Sequence, residues 1–201
     1  MHKLHKIIVK IRRKIVQSIV NRNFPCYYKH KEKDMNVAFW EGNKMELLKD
    51  NNTHSASEIA KWFLSRNNED YKLGNTDELI SNLKLQKLLY YAQGCVLAIT
   101  DKPLFNDNIV AWEHGPVVPS VYHEYKNNGK SGIEFNENYD RSSIGQQLND
   151  ILESVYTEFG QYSAWKLRNM THEETPYIKT AKDDVINNDL IKSYFKENYV
   201  E

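Results

Sequence analysis

Apolar residues recur at helical spacing along several stretches of the chain, with polar clusters between them. Leu4, Ile8, Ile11, Ile15 and Ile19 follow one another at intervals of four, three, four and four. That period puts them on one face of a helix. Lys3, Lys6, Lys10, Arg13 and Gln17 keep the same period on another face, so the pattern predicts a basic amphipathic helix at the N-terminus. From Asn21 to Asn52 the periodicity dissolves around Pro25, Gly42 and the cluster Asp50-Asn51-Asn52. This stretch is expected to be a linker with one short ordered piece near Val37 to Trp40.

Ser55-Ala56-Ser57-Glu58 spells the S-x-x-E capping box, and Ile59, Ala60, Trp62 and Phe63 supply an apolar stripe to about Ser65. Asn67, Asn68 and Gly74 are expected to end that helix. Ser81 is placed to cap the next, in which Leu85, Leu88, Leu89, Ala92, Val96 and Ile99 continue at three-and-four spacing. This is the expected spine of the core. Asp101 to Leu104 reads as a turn, and Ile109 to Trp112 as a short strand or buried crossing. His114-Gly115-Pro116 breaks it, Val117 to Lys126 predicts a short helix, and Gly132 to Phe135 a second short strand. Ser143-x-x-Gln146 is expected to cap a helix that buries Ile144, Leu148, Ile151, Leu152 and Val155. Further helices are expected over Ser163–Thr171 and about Asp189–Asn198, the latter with Leu190, Ile191, Tyr194 and Phe195 as its face. The predicted fold is mainly α, a compact helical domain with at most a small β-hairpin. The predicted organisation is a basic arm over 1–34, a linker over 35–54 and a domain over 55–201.

Charge sharpens that division. The chain carries 27 Lys+Arg and 27 Asp+Glu, a net charge of zero. Residues 1–34 hold ten basic and two acidic residues, or +8, and the remainder holds 17 basic and 25 acidic, or −8. A basic amphipathic helix can pack on its own domain, contact a partner or nucleic acid, or lie on an anionic membrane. Lys10, Arg12, Arg13 and Lys14 interrupt every apolar run in it, so neither a signal peptide nor a membrane span is predicted. Met35 and Met45 lie in the linker, and a start at either would leave the arm untranslated. An acidic body complements a basic protein surface and suits nucleic acid poorly, so any nucleic-acid contact is expected from residues 1–34. The 12% aromatic content argues for a packed domain despite the polar average. Cys26 and Cys95 cannot build a disulfide framework or a four-cysteine zinc site, so a reduced, cytoplasmic setting is predicted.

No motif for catalysis emerges. Seven histidines show no H-E-x-x-H, and there is no C-x-x-C. Phosphate-loop, dinucleotide and G-x-S-x-G signatures are absent from the sequence. Cys95 fits a buried small hydrophobe, with a nucleophile paired to His114 as the chemical alternative. Glu113-His114 is the nearest approach to an acid–base pair, and Gly115-Pro116 gives it a structural reading as a rigid turn. An enzyme using Glu113, His114 and His172 is therefore the less favoured reading. No cofactor and no metal are predicted. Tyr90 and Tyr91 are adjacent on one helix, so only one of them is expected to face the core. Trp112, Tyr122, Tyr125, Trp165 and Tyr177 fall near predicted element ends, either as core residues with polar tips or as interface anchors.

Leu83-Lys84-Leu85-Gln86-Lys87-Leu88-Leu89-Tyr90-Tyr91-Ala92-Gln93-Gly94, followed by Lys102-Pro103-Leu104-Phe105 and Ala111 to Tyr122, resembles the Panacea, or SocA-like antitoxin, domain. Thr171-His172-Glu173-Glu174-Thr175-Pro176-Tyr177 resembles the family's closing T-H-x-x-x-P-W element, with Tyr177 in place of the Trp. The likeness runs from about Ser55 to Phe195 and leaves the basic arm outside. It implies a mainly helical, phage-associated domain that neutralises a cognate toxin by direct contact, in some members by delivering the toxin to a protease. The toxin is expected from an adjacent gene. Lys84, Lys87 and Tyr91 on the long helix, with Trp112, His114 and Pro116 on the turn, are the expected exposed partner contacts. Fold maintenance is the competing role for each.

Overall fold

The computed structural model describes residues 54–200. The basic helix expected in residues 1–34 and the ordered piece near Val37 to Trp40 lie outside them. The described residues form seven α-helices and one two-stranded hairpin, the mainly helical fold with a small hairpin that the spacing predicts.

Helix α1 spans Ala56–Lys72 and starts as its capping box directs, with Ser55 Oγ accepting from the Glu58 amide at 3.1 Å. It runs one and a half turns beyond the expected end at Asn67. Asn67 stays helical because its side chain is buried. There it accepts from the Ile80 amide at 2.8 Å and donates to the Glu78 carbonyl at 3.2 Å, pinning the following loop.

Helix α2, Asn82–Thr100, is capped by Ser81 Oγ and closed by Asp101 in the left-handed region. It is the centre of the domain, packed by α1, by the hairpin and by every helix described below except the short α6. From Leu85 to Thr100 every residue is buried. A helix surrounded on all sides needs no polar stripe. Both Tyr90 and Tyr91 are therefore fully buried, against the expectation that only one would be.

The hairpin joins β1, Val110–Trp112, to β2, Gly115–Val117, in antiparallel register with Ala111 opposite Pro116. The sequence places a break at Gly115-Pro116, and the structure instead places the second strand there. Ala111 directs its amide to the Asp184 carbonyl and its carbonyl to the Asp183 amide, so it exchanges no bond with Pro116 and the missing N–H of proline costs nothing. The strand expected at Gly132–Phe135 does not form. It contributes only the isolated bridge Ser81↔Gly132 and the Ile133 amide bond to the Ile80 carbonyl.

Helix α3 spans Pro119–Tyr125 and α4 spans Gln146–Phe159. Ser143 does not cap α4. It sits in the 3-10 turn Arg141–Ile144, bonded to the Asp140 carbonyl, and Gly145 at φ 82° begins the helix. Helix α5, Ala164–His172, is capped by Ser163, and the four-residue α6, Thr175–Ile178, follows with Pro176 in its first turn. Helix α7, Asn188–Phe195, passes into a π-turn over Lys196–Val200.

Candidate functional site

The polar residues of the long-helix signature point inward and hold loops. Gln93 accepts from the Leu104 and Phe105 amides at 2.9 and 3.2 Å and donates to the Phe105 carbonyl at 3.1 Å. Gln86 accepts from the Val118 amide at 2.9 Å and donates to Asn82, whose own amide reaches the Tyr122 carbonyl at 3.0 Å. Gly94 leaves room for Phe195, since a Cβ there would meet ring carbons at 2.4 Å.

Lys87 is fully buried and donates to the Pro116 carbonyl at 2.8 Å. Burial, with a smaller contribution from the nearby Arg168 charge, pushes its ammonium down to about 7. This arrangement needs Gly115. Its φ is +96°, and a Cβ would approach Lys87 Nζ and Thr171 Oγ1 to 2.8 Å.

Glu174 is a second buried ionisable group. Its carboxylate accepts from Tyr90 at 2.7 Å, Tyr91 at 3.0 Å and Tyr199 at 2.7 Å. Burial pushes it up to about 7, and the three phenol bonds oppose that shift. Around it, Tyr91 stacks on Phe159 at 3.8 Å and Phe195 lies 4.8 Å from Tyr199. The closing element thus works as a clamp. Tyr177 donates to the Trp112 carbonyl at 2.9 Å, and His172 places one ring nitrogen 2.7 Å from the Arg168 carbonyl and the other 3.0 Å from that of Glu113.

The six expected contact residues separate accordingly. Lys87, Tyr91 and Pro116 are buried, so their expected exposure is corrected: one holds the hairpin, one serves Glu174, and the third carries the carbonyl that Lys87 grips. Lys84 and Trp112 are half-buried and His114 is exposed. Lys84 lines an open pocket of about 400 Å³ with Tyr71, Leu79, Ser81 and Lys130. Burial holds its ammonium below the usual lysine range, against the opposing pull of Glu78.

Trp112 packs edge-on to Tyr122 at 5.0 Å, and His114 faces Trp165 at 6.1 Å. Trp165 is 57% exposed, the guanidinium of Arg168 lies over its ring at 5.1 Å, and Ile178 is also exposed. Trp165 is among the aromatics expected at element ends, whereas Arg168 is not among the expected contacts, although its helical spacing from Trp165 was an available signal.

Catalytic chemistry finds little to work with here. Cys95 is fully buried, and burial pushes its thiol up to about 12, away from the thiolate a nucleophile needs. His172 meets the backbone carbonyl of Glu113 and not its carboxylate. Among the described residues no group of three His, Cys, Asp or Glu could hold a metal ion, and no helix is long and apolar enough to cross a membrane.

In this helical domain the signature polar groups are consumed by internal clamps, and aromatics are left at the surface beside the hairpin. Residues 85–178 match the family model described as "Antitoxin SocA-like, Panacea domain". The chain is also similar to the Antitoxin SocA of Caulobacter vibrioides (strain NA1000 / CB15N), 34% identical over 112 residues, which are 50% of this chain and 59% of that protein. The match therefore spans rather more than half of that relative's length. No solved structure matches the chain.

Proposed function

We propose that this chain is an antitoxin that neutralises a cognate toxin, encoded by an adjacent gene, through direct protein–protein contact in the cytoplasm. The observation that carries the proposal is the match of residues 85–178 to the SocA-like family, together with the similarity to a protein named Antitoxin SocA. The geometry supports it. Gln86, Lys87, Gln93 and Glu174 are spent on the interior, while Trp165, His114 and Ile178 stand at the surface, where large aromatic and apolar side chains anchor interfaces. Expression of the adjacent open reading frame alone and together with this gene is the test. Growth arrest relieved by co-expression is the expected result. Absence of toxicity, or toxicity that persists, removes the proposal.

The +8 charge of residues 1–34 favours a second reading, a nucleic-acid-binding regulator acting through that arm. Several phosphate contacts would give an affinity for promoter DNA that falls steeply with salt. Loss of that binding on deletion of residues 1–34 supports it, and binding that is unchanged or absent in both chains rejects it.

A further inference from the structure

Arg168 is unlike the other two described arginines. Arg66 pairs with Asp70 at 2.6 Å and Glu153 at 2.9 Å, and Arg141 pairs with Glu69 at 2.6 Å. Among the described residues Arg168 reaches only the side-chain oxygen of Asn169, at 3.1 Å, and its Nε is buried with no acceptor. Glu113, the exposed carboxylate of the adjoining turn, forms no ion pair with it. The guanidinium is held in place by stacking on Trp165, and the His114 ring borders the same indole. A planar guanidinium that no described carboxylate pairs with, pre-oriented on an exposed indole, is matched to a carboxylate that arrives from outside. The rest of the domain carries excess negative charge, which repels an acidic group that docks elsewhere.

We propose that Trp165, Arg168 and His114 form the toxin-docking contact and receive an acidic side chain of the bound protein. This rests on the antitoxin reading and adds to it the face and the partner's chemistry. The acid pairs with Arg168 while an apolar neighbour on the same partner covers Trp165. Shelter from water by the indole then makes the ion pair count for more than an exposed one.

The test uses the full chain and the purified product of the adjacent open reading frame, with affinity measured by calorimetry. Trp165→Ala and Arg168→Glu are each expected to weaken binding by about 30-fold or more, with the thermal midpoint of the free chain retained. An acidic-to-arginine substitution in the partner is expected to restore binding to Arg168→Glu. Binding by both folded variants within about threefold of the native chain overturns the proposal and leaves the antitoxin reading standing. Loss without rescue by any such partner substitution overturns the acidic assignment, as does a change in self-association in place of partner binding. Failure of the native chain to bind overturns the antitoxin reading and this contact with it.

Discussion

The ring of Phe195 lies against Gly94 so closely that a methyl group at position 94 would meet three ring carbons at 2.4–2.5 Å. Phe195 cannot swing aside, because it is fully buried among Tyr90, Tyr91, Tyr194 and Tyr199. Gly94→Ala is therefore expected to destabilise the domain by about 1–3 kcal/mol, although alanine is the better helix former by roughly 1 kcal/mol. Phe195→Leu in the same chain should recover part of that loss. A double-mutant cycle by urea unfolding checks both statements, and strict additivity would disprove the contact.

Gln93 serves three backbone groups at once. Gln93→Ala should cost about 2–4 kcal/mol by leaving the Leu104 and Phe105 amides and the Phe105 carbonyl unpaired in the interior. Gln93→Glu keeps the acceptor for both amides but replaces the donor, and it adds the burial of a charge. Chemical denaturation at neutral pH should rank native above both variants. A loss below roughly 0.5 kcal/mol for Gln93→Ala would mean that water replaces the clamp.

Glu174 and Lys87 give opposite slopes with pH. Glu174 is raised from 4.5 to about 7, so between those values the folded chain keeps a proton that the unfolded chain has released, and stability falls as pH rises. Lys87 is lowered from 10.5 to about 7, so above neutrality the unfolded chain holds the extra proton and stability rises with pH. Urea midpoints at pH values of about 5, 7 and 9 should show the first slope reduced in Glu174→Gln and the second reduced in Lys87→Met. Parallel profiles in the native chain and both variants would contradict the assignment.

Tyr199→Phe removes one of the two donors to Glu174 Oε1 and is expected to cost about 1–2 kcal/mol. The same variant should raise the pH at which Glu174 titrates, since a donor that stabilises its charged form is gone. The shift can be followed through the carboxyl resonance of labelled protein. An unmoved titration would place Tyr199 outside the cluster in solution.

His172→Ala separates binding from catalysis. If the antitoxin reading holds, this variant is expected to relieve growth arrest in co-expression to within an order of magnitude of the native chain, while losing about 1 kcal/mol of stability as its ring leaves the Arg168 and Glu113 carbonyls. Complete loss of activity in the folded variant would reopen the catalytic reading.

What the sequence reveals follows a physical division between local and distant causes. Caps at Ser55 and Ser81 and the period of α2 are local, and each lies where the residues place it, whereas the equally local cap expected at Ser143 gives way to Gly145. The burial of Lys87, Tyr90 and Tyr91 is set by groups brought from far along the chain: Pro116 is 29 residues from Lys87, and Glu174 is 84 from Tyr90. No spacing rule announces a carboxylate that will meet three phenols. Pro116 misleads for a related reason, since proline is compatible with a strand only where its neighbour's bonds go elsewhere, and those bonds run to Asp183 and Asp184. Trp165 and Arg168, one helical turn apart, were within reach of pattern reading. Only the structure shows that, among the described residues, no carboxylate pairs with this arginine.

The location of Tyr199 has a consequence for how the chain is made. Synthesis delivers α2 with Tyr90 and Tyr91 first, Glu174 much later, and the Phe195 and Tyr199 rings only as α7 and the turn after it emerge. Until then Gly94 faces an empty slot and the carboxylate lacks its third donor. Among the described elements, the face of α2 around Gly94 and Tyr91 is thus the last to be covered, after α1, the hairpin, α4 and α5 have been made.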